Sequence, residues 1–265
     1  MKRSAPGATA RYIQWAPDMP PGDNFLFGIH SILEAIHSGR ELDKVLIRRG
    51  AGSDLMKELI AALHKHHIPF QQVPVEKLNS ITRKNHQGAI AWLSVISYGD
   101  ITSLLPAVFE SGRDPLVLIL DGVSDVRNFG AIARSAECAG VDALVIPAAG
   151  SARINADAIK TSAGALHRIP VCRQSDLVRV TRFLKDSGLS LYAATERAEE
   201  DLSRADLTGP AGIILGSEEQ GISPALLKEA GQWISIPMKG NISSLNVSVA
   251  AGIILYEVLR QRAQQ

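Results

Sequence analysis

The sequence predicts an α/β protein in two parts, a small alternating unit followed by a larger one with a mainly parallel sheet. Three observations predict it. Apolar runs of strand length alternate with stretches of helical periodicity from Phe25 onward, the pattern of a sheet covered on both faces. A break in that pattern near Ser97–Asp114 divides the chain. Three Gly/Asn/Ser-rich segments stand where apolar runs end: LDGVSDVRNFGAIAR from Leu120, LGSEEQGIS from Leu215 and IPMKGNISSLNVSVAAG from Ile236. Open α/β sheets bind ligands at the carboxyl ends of their strands, so three such loops in one half of the chain predict one composite site.

Residues 1–24 read as a flexible tail, because Pro6, Pro17, Pro20 and Pro21 interrupt any regular element. In residues 25–97, Ile29, Ile32, Leu33 and Ile36 form a helical stripe closed by Gly39. Lys44–Arg49 reads as a strand, 54–66 as a helix with Leu55, Leu59, Ile60 and Leu63 on one face, Phe70–Val73 as a strand, Val75–Ile81 as a helix and Gly88–Val95 as a strand. Residues 98–114 read as a linker with a short helix around Ile101–Phe109. The second unit, residues 115–265, is predicted to hold strands at Leu116–Leu120, Ala143–Ile146, Arg168–Val171, Ser190–Ala194, Ile213–Leu215 and Ile234–Ile236. Its helices are predicted at Gly130–Ala139, Leu177–Asp186, Pro224–Glu229 and Ser244–Arg262, with Gly140 at a helix C′ position.

Composition narrows the function classes. The chain has 265 residues, 46% hydrophobic and 21% charged, which is ordinary for a globular protein. No apolar run approaches the roughly 18 residues a membrane span needs, and the N-terminus lacks an apolar signal core, so a cytoplasmic location and no membrane partner are expected. The formal charge of +1 neither requires nor excludes nucleic acid, since a phosphate footprint needs only a local basic patch. Cys138 and Cys172, the only two cysteines, read as buried free thiols. The His64, His66, His67 cluster reads as a solvated helix end, and no metal is expected. The sequence has no G-x-G-x-x-G, no P-loop, no G-x-S-x-G and no H-E-x-x-H. A nicotinamide-dependent dehydrogenase is therefore disfavoured.

The three loops carry the candidate chemistry. In the first, Asn128 reads as a helix cap and Arg134 lies on the following helix among small residues. There a guanidinium can grip a phosphate or carboxylate, or can simply be solvated; spacing leaves both open. In the second, Gly216 and Gly221 permit tight turns and close ligand approach, and Glu218 can accept bonds from backbone N–H groups or a ligand amine. In the third, Ser244 reads as a cap and Asn246 as a first-turn residue of a long helix whose core stripe is Val247, Ala250, Ala251, Ile254, Leu255 and Val258. Polar groups at a helix N-terminus suit an adenosyl or phosphate-bearing ligand.

Taken in order, these segments resemble the SpoU/TrmH family of RNA ribose 2′-O-methyltransferases, within the SPOUT superfamily. Asn128 and Arg134 match its first motif, Gly216, Glu218 and Gly221 its second, and Ser244, Asn246 and the following Val247–Gly252 its third. Phe25–Val95 resembles the family's L30e-like RNA substrate-binding domain, including Phe27-Gly28-Ile29-His30 and His86-Gln87-Gly88, and the pairing most resembles the enzymes that methylate a guanosine of 23S rRNA. Val126 and Arg127 stand after Asp125 where many members carry Pro, and Glu219 stands where many carry Gly.

The resemblance implies a C-terminal SPOUT domain with a trefoil knot, a rare exception to unknotted topology. It implies S-adenosylmethionine as cofactor, held at Leu215, Gly216, Ile236, Met238 and Leu245. It implies a homodimer with the site at the subunit interface, and catalytic roles for Arg134, Asn128, Glu218, Ser244 and Asn246. Arg48, Arg49, Arg83 and Lys84 are the expected RNA contacts, with Lys44, Lys160 and the tail residues Lys2, Arg3 and Arg11 as further candidates. The competing readings are a 2′-O-methyltransferase acting on tRNA or on an rRNA adenosine, and a non-catalytic RNA-binding relative.

Overall fold

The computed structural model describes residues 25–264. The predicted tail, with Lys2, Arg3 and Arg11, lies outside the described residues. The first sheet is built from β1 (Phe25–Phe27), β2 (Leu42–Arg48), β3 (Phe70–Val73) and β4 (Ala89–Leu93), in the order β1-β4-β2-β3. β4 runs antiparallel to β1 and β2, and β2 runs parallel to β3. Helices α1 (Ile29–His37) and α2 (Asp54–Lys65) cover one face, sinking Ile29, Ile32, Leu33 and Ile36 with Met56, Leu59 and Leu63 against Val45 and Ile47. The short α3 (Val75–Ile81) sets Leu78 on the other face. β1 escapes a periodicity reading because three residues are too few to set a period.

The second body begins with α4 (Ile101–Glu110), which Asp100 caps through its carboxylate on the N–H of Thr102. Its Ile101 and Leu105 join the core under the second sheet. That sheet holds β5 (Leu116–Asp121), β6 (Ala143–Pro147), β7 (Val171–Gln174), β8 (Ser190–Ala194), β9 (Ala211–Gly216) and β10 (Gln232–Ile234). The order is β10-β8-β9-β5-β6-β7, and every pairing is parallel.

Period two sorts the side chains. Leu116, Leu118 and Leu120 of β5 face α5 (Val126–Cys138) and α9 (Val247–Arg262), whereas Val117 and Ile119 face α4, α7 (Leu177–Asp186) and α8 (Pro224–Glu229). α6 (Ala156–Thr161) packs on α5, where Gly130 leaves room for Thr161; a Cβ there would lie 2.7 Å from the Thr161 Cβ. β10 occupies one edge of the sheet, yet α9 packs on α5 near its centre, so the chain returns across the strand ends between them.

Several boundaries differ from expectation. The strand predicted at Arg168–Val171 begins at Val171, because Ala165–His167 form a 3-10 turn and Pro170 has no N–H to give the ladder. The last strand occupies 232–234 instead of 234–236, because Ser235 leaves the sheet to bond Glu200. α5 starts at Val126 and α9 at Val247, each set by a different cap from the one predicted. Cys138 is exposed, on the outward stripe of α5 shared with Arg127, Ala131 and Arg134; only Cys172 is buried, and burial pushes its thiol up to about 12. No helix among the described residues is long and apolar enough to cross a membrane.

Candidate active site

The loops after β5 and β9 meet because Asp121 and Gly216 are register partners at the carboxyl ends of adjacent parallel strands. Asp121 Oδ2 accepts from the N–H of Ser223 at 2.7 Å and ties the far end of the second loop to the first. Gly216 has no room for a side chain: a Cβ would lie 2.1 Å from the carbonyl carbon of Gly221 and 2.3 Å from the nitrogen of Ile222. The loop folds back on itself there, with Ser217 O accepting from Gly221 N at 2.9 Å and Ser217 Oγ from Gln220 N at 3.1 Å.

Asp125, not Asn128, caps α5. Its Oδ1 accepts from the N–H groups of Arg127 and Asn128 at 2.9 and 2.8 Å. A carboxylate three residues before the expected cap satisfies the first-turn donors and frees the Asn128 side chain. Likewise Asn246, not Ser244, caps α9: its Oδ1 accepts from Ser248 N at 2.9 Å, Ser248 Oγ at 2.6 Å and Val249 N at 3.4 Å. Its Nδ2 then donates to Asn128 Oδ1 at 3.0 Å and to Glu218 Oε1 at 2.5 Å. Only this amide orientation works, since a flip would set a carbonyl against two acceptors and an NH2 group against two N–H donors. One side chain therefore ties all three loops together. Glu218 Oε1 also accepts from Val247 N at 3.4 Å, at the positive end of α9.

Beside this junction lies a cavity of about 350 Å³, within the range of small-molecule sites. Leu215, Gly216, Ile236, Met238 and Leu245 all line it, as do Glu218 and Ser244. Thr195, Glu196 and Arg197, just past β8, line it as well. Sequence reasoning missed them because a charged loop without glycine carries no site signature; their one signal was position after a strand. Asn128 and Asn246 are not part of the lining. Arg134 is exposed on α5, makes no hydrogen bond or ion pair among the described residues, and is not brought to the cavity by its own chain.

The expected RNA contacts gather at one end of the first sheet. Arg48 and Arg49 close β2, where Arg48 N donates to Gly88 O at 2.7 Å and Arg49 N to Val73 O at 2.8 Å. Arg83 and Lys84 are exposed in the loop before β4, with Lys84 Nζ 5.5 Å from the Phe27 ring centre. The two short segments of the resemblance meet there: Gln87 Oε1 accepts from Ile29 N at 3.1 Å, and His86 Nδ1 accepts from Gly88 N at 3.0 Å. Lys160 is exposed on α6. Lys44 shares the α3 side of the sheet with Trp92 and is buried against that ring, so it does not belong to this exposed patch. No group of three or more His, Cys, Asp or Glu among the described residues is arranged to hold a metal ion.

Comparison with known proteins covers both bodies. The model of the SpoU rRNA Methylase family matches residues 115–256, and that of the RNA 2′-O ribose methyltransferase substrate-binding domain matches residues 25–97. A protein of Staphylococcus saprophyticus named as a TrmH family tRNA/rRNA methyltransferase is 34% identical over 237 residues, covering 89% of this chain and 95% of its own. The SpoU methyltransferase AviRb from Streptomyces viridochromogenes, solved with AdoMet, is 25% identical and aligns over 91% of each chain with a TM-score of 0.58. The A. aeolicus TrmH/SpoU tRNA modifying enzyme is 34% identical over 57% of this chain and 77% of its own, with a TM-score of 0.53.

Proposed function

This chain belongs to the SpoU rRNA methylase family of RNA 2′-O-methyltransferases, and on that premise we propose that it transfers a methyl group from S-adenosylmethionine to the ribose 2′-hydroxyl of a guanosine in 23S rRNA. The observation that carries the reading is the Asn246 amide, which joins three strand-end loops beside one cavity. The lining fits the cofactor that AviRb binds. Leu215, Ile236, Met238 and Leu245 offer apolar walls to a purine, the bare Gly216 backbone allows close approach, and Thr195, Glu196 and Ser244 offer polar atoms to the ribose and the charged tail.

When bound, the sulfonium supplies an activated methyl group; the protein's part is to align the 2′-oxygen and help remove its proton. Arg134 is the group assigned to that hydroxyl. A guanidinium carries a fixed positive charge and offers no acceptor for a proton, so it acts by charge on the developing alkoxide while a substrate phosphate takes the proton. Asn128, Glu218 and Asn246 act as positioning residues, and Ser244 faces the cavity directly.

Arg134 reaches the site only from a second copy of the chain. Two observations support that homodimer. Val249, Ile253 and Tyr256 of α9, at i, i+4 and i+7, are 50%, 39% and 70% exposed, an apolar row of the kind that marks protein contacts. The row neighbours the helix that carries Arg134, since Gly252 of α9 lies against Ser135 of α5. The return of the chain from β10 to α9 supports the trefoil knot. Arg48, Arg49, Arg83 and Lys84 form the proposed RNA patch.

Transfer of labelled methyl to separated rRNA and tRNA fractions, followed by mapping of 2′-O-methylated positions, tests the proposal. The expected product is a methylated rRNA guanosine, lost in Arg134→Ala while cofactor binding persists. Transfer to tRNA alone would reassign the substrate, and normal transfer by Arg134→Ala would remove Arg134 from the reaction.

A further inference from the structure

We propose that the partly open face of the N-terminal sheet is a stacking platform for unpaired RNA bases, which leads the strand from the exposed basic patch to the seam with the catalytic body. The inference rests on the RNA-modifying function proposed above and adds the surface that reads the substrate.

Register fixes which side chains share that face. Phe25 pairs with Trp92 and Phe27 with Ile90 across β1 and β4, and Lys44 pairs with Trp92 and Leu46 with Ile90 across β2 and β4. Directly opposed residues project to the same side of a sheet. Phe25, Phe27, Trp92 and Lys44 therefore stand together, away from α1 and α2. The seven-residue α3 covers Leu46, Val73 and Ile90 with Leu78 and leaves the three aromatic rings only partly buried.

The cations are set on these rings. Lys84 Nζ lies 5.5 Å from the Phe27 centre and Lys44 Nζ 5.8 Å from the Trp92 centre, while the Phe25 and Phe27 rings are 6.1 Å apart and tilted by 44°. Aromatic rings with the exposed Lys84 beside them suit planar, electron-rich bases on a polyanionic backbone, while the buried Lys44 packs on Trp92 within the protein. A four-stranded sheet with aromatics on its face is an established way to hold unpaired RNA.

The row has direction. At one end stand Arg48, Arg49, Arg83 and Lys84. About 13 Å along β2, at roughly 3.3 Å per residue, Lys44 lines a small gap with Arg153 and Arg173 of the catalytic body. The β6–α6 loop at that gap bonds the first motif loop, with Ala152 N donating to Val123 O at 2.9 Å. The exposed basic patch at one end and the rings that lead from it toward the seam describe a short track for a single strand, and a paired duplex has no free base faces to offer it.

The test uses the full chain with Trp15→Phe and Trp233→Phe, which leaves Trp92 as the sole tryptophan of three. A short single-stranded oligoadenylate should quench Trp92 emission, and the same strand annealed to oligouridylate should not. Trp92→Leu and Phe25→Leu should each weaken single-strand binding about tenfold, Trp92→Phe should restore it, and S-adenosylmethionine binding should stay unchanged throughout. Bound RNA without quenching, or equal quenching by the duplex, overturns the proposal. So does a blue-shifted Trp92 emission that RNA leaves unaltered, which would give the face to the chain's own first 24 residues. Loss of S-adenosylmethionine binding in the unmutated chain would instead fail the enzymatic reading, a separate outcome.

Discussion

Replacing Asn246 with Asp separates its two jobs. Aspartate is as good a cap as asparagine, so the bonds from Ser248 N and Val249 N survive and α9 keeps its start. The two bonds given by Nδ2 are lost, one to the Asn128 carbonyl and one to the Glu218 carboxylate. A neutral bond contributes about 1 kcal/mol and one to a charged group about 2, so about 3 kcal/mol is the ceiling, and solvent exposure of Glu218 and Asn246 brings the expected loss nearer 2. If cofactor binding needs the loops joined, about 2 kcal/mol is roughly a thirtyfold weaker Kd. The substitution also sets a second carboxylate against Glu218, and the repulsion between them favours the form in which one holds a proton. A proton shared between them rebuilds a bond, so the defect should shrink as pH falls from about 8 to about 5. Glu218→Gln in the same chain should rescue binding at neutral pH, with the glutamine amide donating to Asp. Calorimetric titration of S-adenosylmethionine across that range decides the matter. A defect that ignores both pH and Glu218→Gln would refute the junction as drawn.

Gly216→Ala should open the loop after β9, because the new Cβ meets backbone atoms that cannot step aside; at least a tenfold weaker cofactor Kd is expected, with no loss of RNA binding. Arg262 donates to the carbonyls of Leu207, Asp114, Pro115 and Gly209, so Arg262→Met, which keeps the stem and removes the donors, should cost about 2–3 kcal/mol, read as a thermal midpoint several degrees lower. If Arg48, Arg49, Arg83 and Lys84 hold phosphates, RNA affinity should fall steeply between about 50 and 200 mM salt, and Arg83→Ala with Lys84→Ala should flatten the slope. At the seam, Tyr98 donates to Asp43 Oδ1 at 2.9 Å, and Arg173 stacks 4.0 Å over the Tyr98 ring while donating to Leu42 O at 3.1 Å. Burial raises the Asp43 pKa, so its contribution is complete below the unfolded carboxylate value and is lost as pH rises through the folded one. Arg173→Ala, which abandons the ionised form, should therefore lower the thermal midpoint more at about pH 8 than at about pH 5; an equal drop at both would exclude the ion pair as the cause.

The second sheet was legible because its physics is repetitive. LVLIL, AGIIL and their like are buried on both faces, and a run that packs on both sides cannot hide its apolar character. β1, α6 and the turn before β7 were illegible for the opposite reason: they are short, carry no long apolar run of their own, and their places are decided by partners elsewhere in the chain. The registry of Phe25 against Trp92 exists only once β4 is there to receive it. Thr195 and Glu196 likewise belong to the cavity because β8 ends beside β9, which no local pattern encodes.

The misassigned caps are more instructive than the missed strands. Sequence reasoning gave Asn128 and Ser244 the work of starting helices, since each stands where a first turn needs an acceptor. The structure gives that work to Asp125 and Asn246, and the exchange is what creates the junction. With Asp125 holding the first N–H groups of α5, the Asn128 carbonyl is free to look outward. With Asn246 Oδ1 committed to the first turn of α9, its Nδ2 is left pointing at Asn128 and Glu218, each on a different loop. Helix initiation and site assembly thus draw on opposite ends of one amide. Serine at position 246 could cap the helix equally well, but with a single hydroxyl hydrogen it could not donate to both partners at once. Capping tolerates several residues; capping while joining two loops selects asparagine.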